Sequence, residues 1–382
     1  MPSTLHLISV RRRRLLLALS AVPLPWLAHA APSKDAIVVG QSAPLSGAMA
    51  PFMAEVLTGQ RVAFSDFNQA GGLDGRPIEL TILDDGFNPQ KTLENAKTLV
   101  EQHKAIALMG TVGTAQTAAV LPYIVEKRVP LISAYTGSPA LRIQANPYFF
   151  TTQASYADEI GKMVRNLVTI QCNRIAVVYQ DNEFGQLLKP LVEKMIVAGG
   201  ATVAASHALE AKSGADAVEV TKKLAEARPQ GIIMIAAGPP VVAYIKANKA
   251  LLGVPVYTFS LSVGVAIVKA LGNDARGLAA TRATPYPWRA TNPLARRFQA
   301  AMERAGKPID YDHYVGYINA QVVIEGLRAA GKDPSSASLR NAMENLGRLD
   351  LGGYVLNYSP ENHHGSNFVE ITVVGQDGQF LR

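Results

Sequence analysis

Ile37-Val38-Val39-Gly40-Gln41-Ser42-Ala43-Pro44-Leu45-Ser46-Gly47-Ala48 is a β-branched run that breaks into a Ser/Gly/Pro loop, and a helical pattern follows it over residues 52–69. Within that pattern Val56, Gly59, Ala63 and Phe67 share one face, a small-plus-apolar stripe suited to packing on a sheet. Gly71-Gly72 stops the helix, and Ile78-Glu79-Leu80-Thr81-Ile82-Leu83 then alternates as a strand does. Strand, loop, helix and strand make one βαβ unit, and most of the remaining chain repeats it. Short buried strands are expected over 105–109, 129–133, 174–179, 231–236 and 254–259. Helices fall between them, over 89–103, 114–127, 156–169, 183–198, 215–227 and 240–252. Strands alternating with helices of this length imply right-handed crossovers and parallel sheets. The units are too many for one sheet, so the fold class is α/β with two doubly wound lobes.

The end of the chain departs from the rhythm. Helices over 293–305, 311–330 and 335–346 run without a strand between them, and strands over 353–358, 367–374 and 379–381 follow. Late segments of this kind complete sheets begun earlier. The lobes are therefore expected to be discontinuous, 34–152 with 285–358 and 153–284 with 359–382.

Ahead of the first strand, Arg11 to Arg14 form a basic block, an apolar stretch fills 15–27, and Ala28-His29-Ala30-Ala31 closes it. This is the pattern of a cleaved export signal over residues 1–30. Thirteen apolar residues interrupted by Pro23 and Pro25 fall short of the ~20 that a spanning helix needs, so the mature chain is expected not to cross a membrane. Processing after Ala30 would leave 352 of the 382 residues, a two-domain length. It would also take four of the seven net positive charges, leaving +3 and removing the main support for nucleic-acid binding. Cys172 is the only cysteine, which rules out an internal disulfide.

Catalytic constellations are sparse. There is no G-x-S-x-G elbow, P-loop or G-x-G-x-x-G, and neither cofactor, metal nor enzymatic activity is expected. His363-His364 reads as a solvated turn rather than a zinc site, and Asp84-Asp85 as a pair that hydrogen-bonds its own loop. Pro285-Tyr286-Pro287-Trp288 reads as hinge, cleft lip or core. In open α/β sheets ligands bind beyond the carboxyl ends of the strands. Three such loops here, around Ser46, over 110–114 and over 134–139, are rich in Gly, Ser and Thr and open helices, a chemistry suited to a carboxylate. The facing wall would come from loops over 180–185, 236–240 and 260–264, and Phe184 reads as either an aromatic contact or a staple on its own helix.

Two segments resemble, in order and spacing, the branched-chain amino-acid (Leu/Ile/Val-type) substrate-binding proteins of ABC transporters. They are Gly40 to Gly47 and Asn68-Gln-Ala-Gly-Gly-Leu-Asp-Gly-Arg76, the latter before a strand ending Asp84-Asp85. Val129 to Leu141, Tyr179-Gln-Asp-Asn-Glu-Phe-Gly185 and Gly365-Ser-Asn-Phe-Val-Glu370 are similar to an extracellular ligand-binding receptor subgroup. The resemblance implies a type I periplasmic binding fold, two Rossmann-like lobes joined by a three-segment hinge and closing on a small-molecule ligand. It implies a periplasmic location and an inner-membrane ABC permease as partner, and a monomer is expected. It also implies that Thr114 grips a ligand carboxylate by its hydroxyl, that Tyr135, Thr136 and Gly137 complete the grip, and that Phe184 is an aromatic wall. Ser46, Gly113, Tyr156, Gly238 and Ser260 complete the candidate ligand contacts.

One departure bears on the ligand. Amino-acid binders of the family carry an acid after the strand over 254–259 to pair with the ligand ammonium, where this chain has Ser260-Leu261-Ser262. Burying an ammonium without a counter-charge costs several kcal/mol by order of magnitude. Either Asp181 or Glu183 compensates, or the ligand lacks an α-amino group, which favours an organic or aromatic acid. The rival readings are a ligand sensor of the same fold signalling to a membrane receptor, and a secreted hydrolase.

Overall fold

The computed structural model describes residues 36–143 and 146–382, and the export-signal reading of residues 1–30 lies outside them. The first sheet has five parallel strands, in the order Ile78–Asp84, Ile37–Ala43, Ala107–Met109, Leu131–Ile132 and Phe149–Phe150. The second has seven, in the order Phe380–Leu381, Glu370–Val374, Ala279–Arg282, Val256–Thr258, Gly231–Ile235, Arg174–Gln180 and Thr202–Leu209. Its last five are parallel; Glu370–Val374 joins antiparallel to Ala279–Arg282, and Phe380–Leu381 pairs antiparallel with Glu370–Val374. The type I periplasmic binding architecture expected from the sequence is the observed one.

Side-chain alternation places helices on both faces of each sheet. Ile37 and Val39 face one core with the helices Ala50–Gln69, Pro293–Arg304 and Tyr311–Ala330. Val38 and Leu108 face the other, with Pro89–Glu101 and Thr114–Lys127. In the second sheet Ala176, Val178, Ile232 and Met234 face Ala217–Glu226 and Pro239–Leu251. Ile175, Val177, Ile233 and Ile235 face Tyr156–Thr169 and Glu183–Ala198. Gly59 packs against a helix and not against the sheet: a Cβ there would lie 1.9 Å from the carbonyl oxygen of His313, and one on Gly316 would lie 2.0 Å from that of Val56. These two glycines let Ala50–Gln69 and Tyr311–Ala330 touch backbone to backbone.

The chain's end serves both sheets only in part. Val355–Tyr358 pairs with Gly347–Asp350 in a separate two-stranded ribbon, because the edge beside Phe149–Phe150 is taken by the next segment. There Thr151 N donates to His363 O at 2.9 Å and Gly365 N to Thr151 O at 2.9 Å. The histidines in that segment are packed, not solvated. His363 stacks on Phe150 at 4.2 Å and stands between the Asn146 carbonyl and the Glu344 carboxylate, at 3.0 and 3.1 Å. His364 meets Thr151 Oγ1 at 3.2 Å, and burial, then Arg142, pulls its pKa down to about 4. Tyr286 and Trp288 lie on the core of the second sheet beside Tyr311 and Phe380. Nearby, the Tyr354 hydroxyl stands 2.6 Å from the Thr152 carbonyl and 3.0 Å from that of Ala283, able to donate to either.

A candidate ligand-binding cleft

Because the strands within each sheet's parallel part run the same way, their carboxyl-end loops gather along one edge. The two sets of loops face one another across a cavity of about 390 Å³, within the range of small-molecule sites. On the first wall stand Met49, Phe52, Phe87, Tyr135 and the run Val112 to Gln116. Opposite them are Tyr156, Phe184, Lys212, Gly238, Pro239, Pro240 and Leu261.

Five helices begin at or beside residues of this lining, and their chemistry differs. Ser155 and Asp158 box the start of Tyr156–Thr169. In Ala50–Gln69, Ala50 N donates to Gly47 O at 3.2 Å while Pro51 has no N–H. Asn182 caps Glu183–Ala198 by accepting from Gly185 N at 3.0 Å. Pro239 and Pro240 begin Pro239–Leu251, so its first turn lacks two N–H donors. Thr114–Lys127 has neither feature: no side chain caps it, and Gly113, at φ 100°, turns the chain sharply into it. Its first N–H groups and positive dipole end are thus left without a side-chain partner, a chemistry suited to an anion. Thr114 adds a hydroxyl. Thr114 Oγ1 and Thr136 Oγ1 are 3.0 Å apart, and Thr136 Oγ1 also accepts from Ser138 N at 3.2 Å. When Thr136 donates to Thr114, the Thr114 proton is free for an acceptor in the cavity.

The rest of the lining is aromatic and aliphatic. Phe52 meets Tyr135 edge-on at 5.9 Å, and Tyr156 meets Phe184 at 5.5 Å. Phe184 also packs on the buried Phe259 at 5.9 Å, so it both lines the cavity and closes the core beneath it. Burial holds the Tyr135 and Tyr156 phenols above the ordinary tyrosine range, which keeps both neutral. Charged lining residues are Glu183 and Lys212, both exposed. Gln180 ties the second wall together, donating to Ala211 O at 2.6 Å and accepting from Ala237 N at 3.0 Å.

Of the ten residues singled out in the sequence, Gly113, Thr114, Tyr135, Tyr156, Phe184 and Gly238 line the cavity together. Thr136 lies directly behind Thr114. Gly137 packs on Tyr156, whose ring a Cβ would approach to 2.6 Å, and accepts from Tyr156 N at 2.7 Å. Ser46 is at an exposed rim, donating to Asp84 Oδ2 at 2.8 Å. Asp84 also accepts from Leu45 N and Gly86 N, which lowers its pKa, Gly86 most. Ser260 turns inward, its N and Oγ donating to Glu159 at 2.8 and 3.1 Å. Glu159 is buried, accepts also from Thr281 Oγ1, and is raised in pKa by that burial. The second wall therefore has a buried acid behind it, but one already engaged. Sequence reasoning missed Phe87 and Lys212, whereas Pro239 and Pro240 belong to the 236–240 loop expected on the facing wall. Phe87 is held at the rim at φ 62° by Asp85 Oδ1 on its N–H, 2.9 Å, and Gln116 Nε2 on its carbonyl, 2.8 Å. Outside the cavity, the one His/carboxylate cluster among the described residues is Glu55, Asp310 and His313, in which both ring nitrogens of His313 already meet a carboxylate.

A family model described as a periplasmic binding protein matches residues 36–379. A substrate-binding periplasmic protein from Ralstonia solanacearum superposes with a TM-score of 0.83 at 29% identity, covering 90% of this chain and 99% of that one. An extracellular ligand-binding receptor from Verminephrobacter eiseniae gives 0.82 at 28% identity, covering 91% and 100%. The amino acid binding protein of Pseudomonas aeruginosa is 27% identical over 152 residues, 39% of this chain and 40% of that one. The match thus spans less than half of that relative's length. No helix among the described residues is long and apolar enough to cross a membrane.

Proposed function

The chain belongs to the periplasmic binding protein family, and from that premise we propose that it captures a small carboxylate-bearing solute in the cleft and delivers it to the inner-membrane permease of an ABC importer. It works in the periplasm as a monomer, with no cofactor and no catalytic turnover. Its lobes are 34–152 with 285–358 and 153–284 with 359–382, and they close about the three passages between them. Ligand drives closure only through contacts that are stronger in the closed state.

The observation that carries the reading is the uncapped start of Thr114–Lys127, open to a cavity whose remaining lining is mostly aromatic and aliphatic. A carboxylate sits on those N–H groups and the Thr114 hydroxyl, and the body of the solute lies between Phe52, Tyr135, Tyr156 and Phe184. Ser46 and Ser260 act at one remove, by holding the rim and the second wall.

The solute has no α-amino group. Leu261 faces the cavity where an acid would be needed, Glu159 is occupied by Ser260 and Thr281, and Glu183 is exposed to water. An organic or aromatic acid meets these walls without stranding a charge. Titration calorimetry with aromatic and short-chain acids beside leucine-type amino acids tests this. Binding of at least one acid without an amino group is expected; tight binding of the amino acids with silence from every such acid overturns it.

A further inference from the structure

Behind the first wall lies a set of polar groups that the ligand reading does not use. Six buried atoms make no hydrogen bond of ordinary geometry among the described residues: Gln41 Oε1, Gln60 Oε1 and Nε2, Ser133 Oγ, Tyr135 Oη and Asn319 Nδ2. Their residues are at most 6% exposed. They are also neighbours. A Cβ on Gly110 would lie 2.2 Å from Gln41 Nε2 and 3.2 Å from Gln60 Nε2. Gln60 and Asn319 flank the Tyr135 hydroxyl closely enough to interact with it, though without a bond of ordinary geometry. Ser133 stands one residue beyond Ile132, the strand partner of Met109, and so opposite Gly110.

Unpaired buried polar atoms are rare in folded proteins because each is destabilising, and six in one place call for an occupant. The set is mixed. The two amide N–H₂ groups only donate, the two amide oxygens only accept, and the hydroxyls do both. A cation would leave the amide donors unmet, and an anion would leave the amide oxygens unmet. Water meets both kinds.

We infer that Gln41, Gln60, Ser133, Tyr135 and Asn319 form a closed binding site for ordered water beneath the cleft. Six atoms at roughly three bonds per buried water call for about two molecules. Tyr135 is the one member that also lines the cleft. Asn319 is the member that reaches the segment leaving the first sheet, through Thr152 Oγ1 on its Oδ1 at 2.7 Å. The water therefore joins the ligand wall to that segment. The site does not depend on which solute the cleft takes.

A crystal structure of the ligand-free protein at high resolution tests this directly. Density for water within hydrogen-bond distance of these side chains is expected. Direct bonds among them with no water between, or an ion with uniform oxygen coordination, overturns the assignment. Oxygen-17 water relaxation gives a second reading: Gln60→Met, which keeps the volume and removes both amide atoms, should lose slowly exchanging water relative to the unaltered protein. Unchanged relaxation overturns the assignment as well. Should Gln60→Met not fold, Tyr135→Phe, which retains the ring, provides the same comparison.

Discussion

Thr114 is the residue at which one hydroxyl decides most. A hydrogen bond to a charged group contributes about 1.5–3 kcal/mol, so Thr114→Val is expected to weaken ligand binding by roughly ten- to a hundredfold, measured by calorimetry, with thermal stability little changed. Leu261→Asp is the converse experiment. It sets an acid on the second wall, and a loss of organic-acid affinity of about tenfold or more is expected from the unpaired charge, with a gain in binding of amino acids in the same titrations. Residues such as Gly113 and Thr114 were legible because a helix start is a local event, written in adjacent residues. Ser260 was not fully legible, since the partner that turns its hydroxyl away from the cavity is Glu159, 101 residues earlier. Phe87 left no local signal either. It reaches the rim only because Asp85 and Gln116 hold it in a left-handed turn.

Among elements, the parallel strands with long apolar runs could be read from the sequence, and the small or half-buried ones could not. Thr202–Leu209 lies at an edge of the second sheet with most positions half-buried, so it shows little alternation. Ala279–Arg282 is wholly buried but has no apolar side chain larger than a methyl, and only its pairing partners define it. The stripe containing Gly59 was visible, yet its partner was not, because a glycine permits close approach without saying to what. Gly59→Ala forces the two helices apart, since the new methyl has no room beside His313 O. A destabilisation of about 1–3 kcal/mol is expected from such overpacking, seen as a melting temperature lower by several degrees in calorimetry.

For the molecule as a whole, pH enters through Asp312. Burial chiefly, then Asp310, lifts its pKa from 3.8 to about 7, while Arg282 and His313 oppose the rise and Glu55 adds to it. The folded state therefore holds this proton more tightly than the unfolded chain, and the stability it contributes declines as pH rises from about 4 to about 7. Asp312→Asn removes that decline, so the variant should gain on the unaltered protein in urea unfolding near pH 8 relative to pH 5. An unchanged difference between the two pH values would show that Asp312 does not titrate in this range. Closure involves a different part of the molecule. In the proposed division the chain passes between lobes three times, and the Tyr354 hydroxyl touches two of those passages, at Thr152 and Ala283. A hydroxyl within reach of both carbonyls couples the movements of the two passages. Opening and closing should then follow one exponential in single-molecule fluorescence, and Tyr354→Phe should spread it into several rates. The protein would behave less as two bodies on loose tethers than as a latch with one axle.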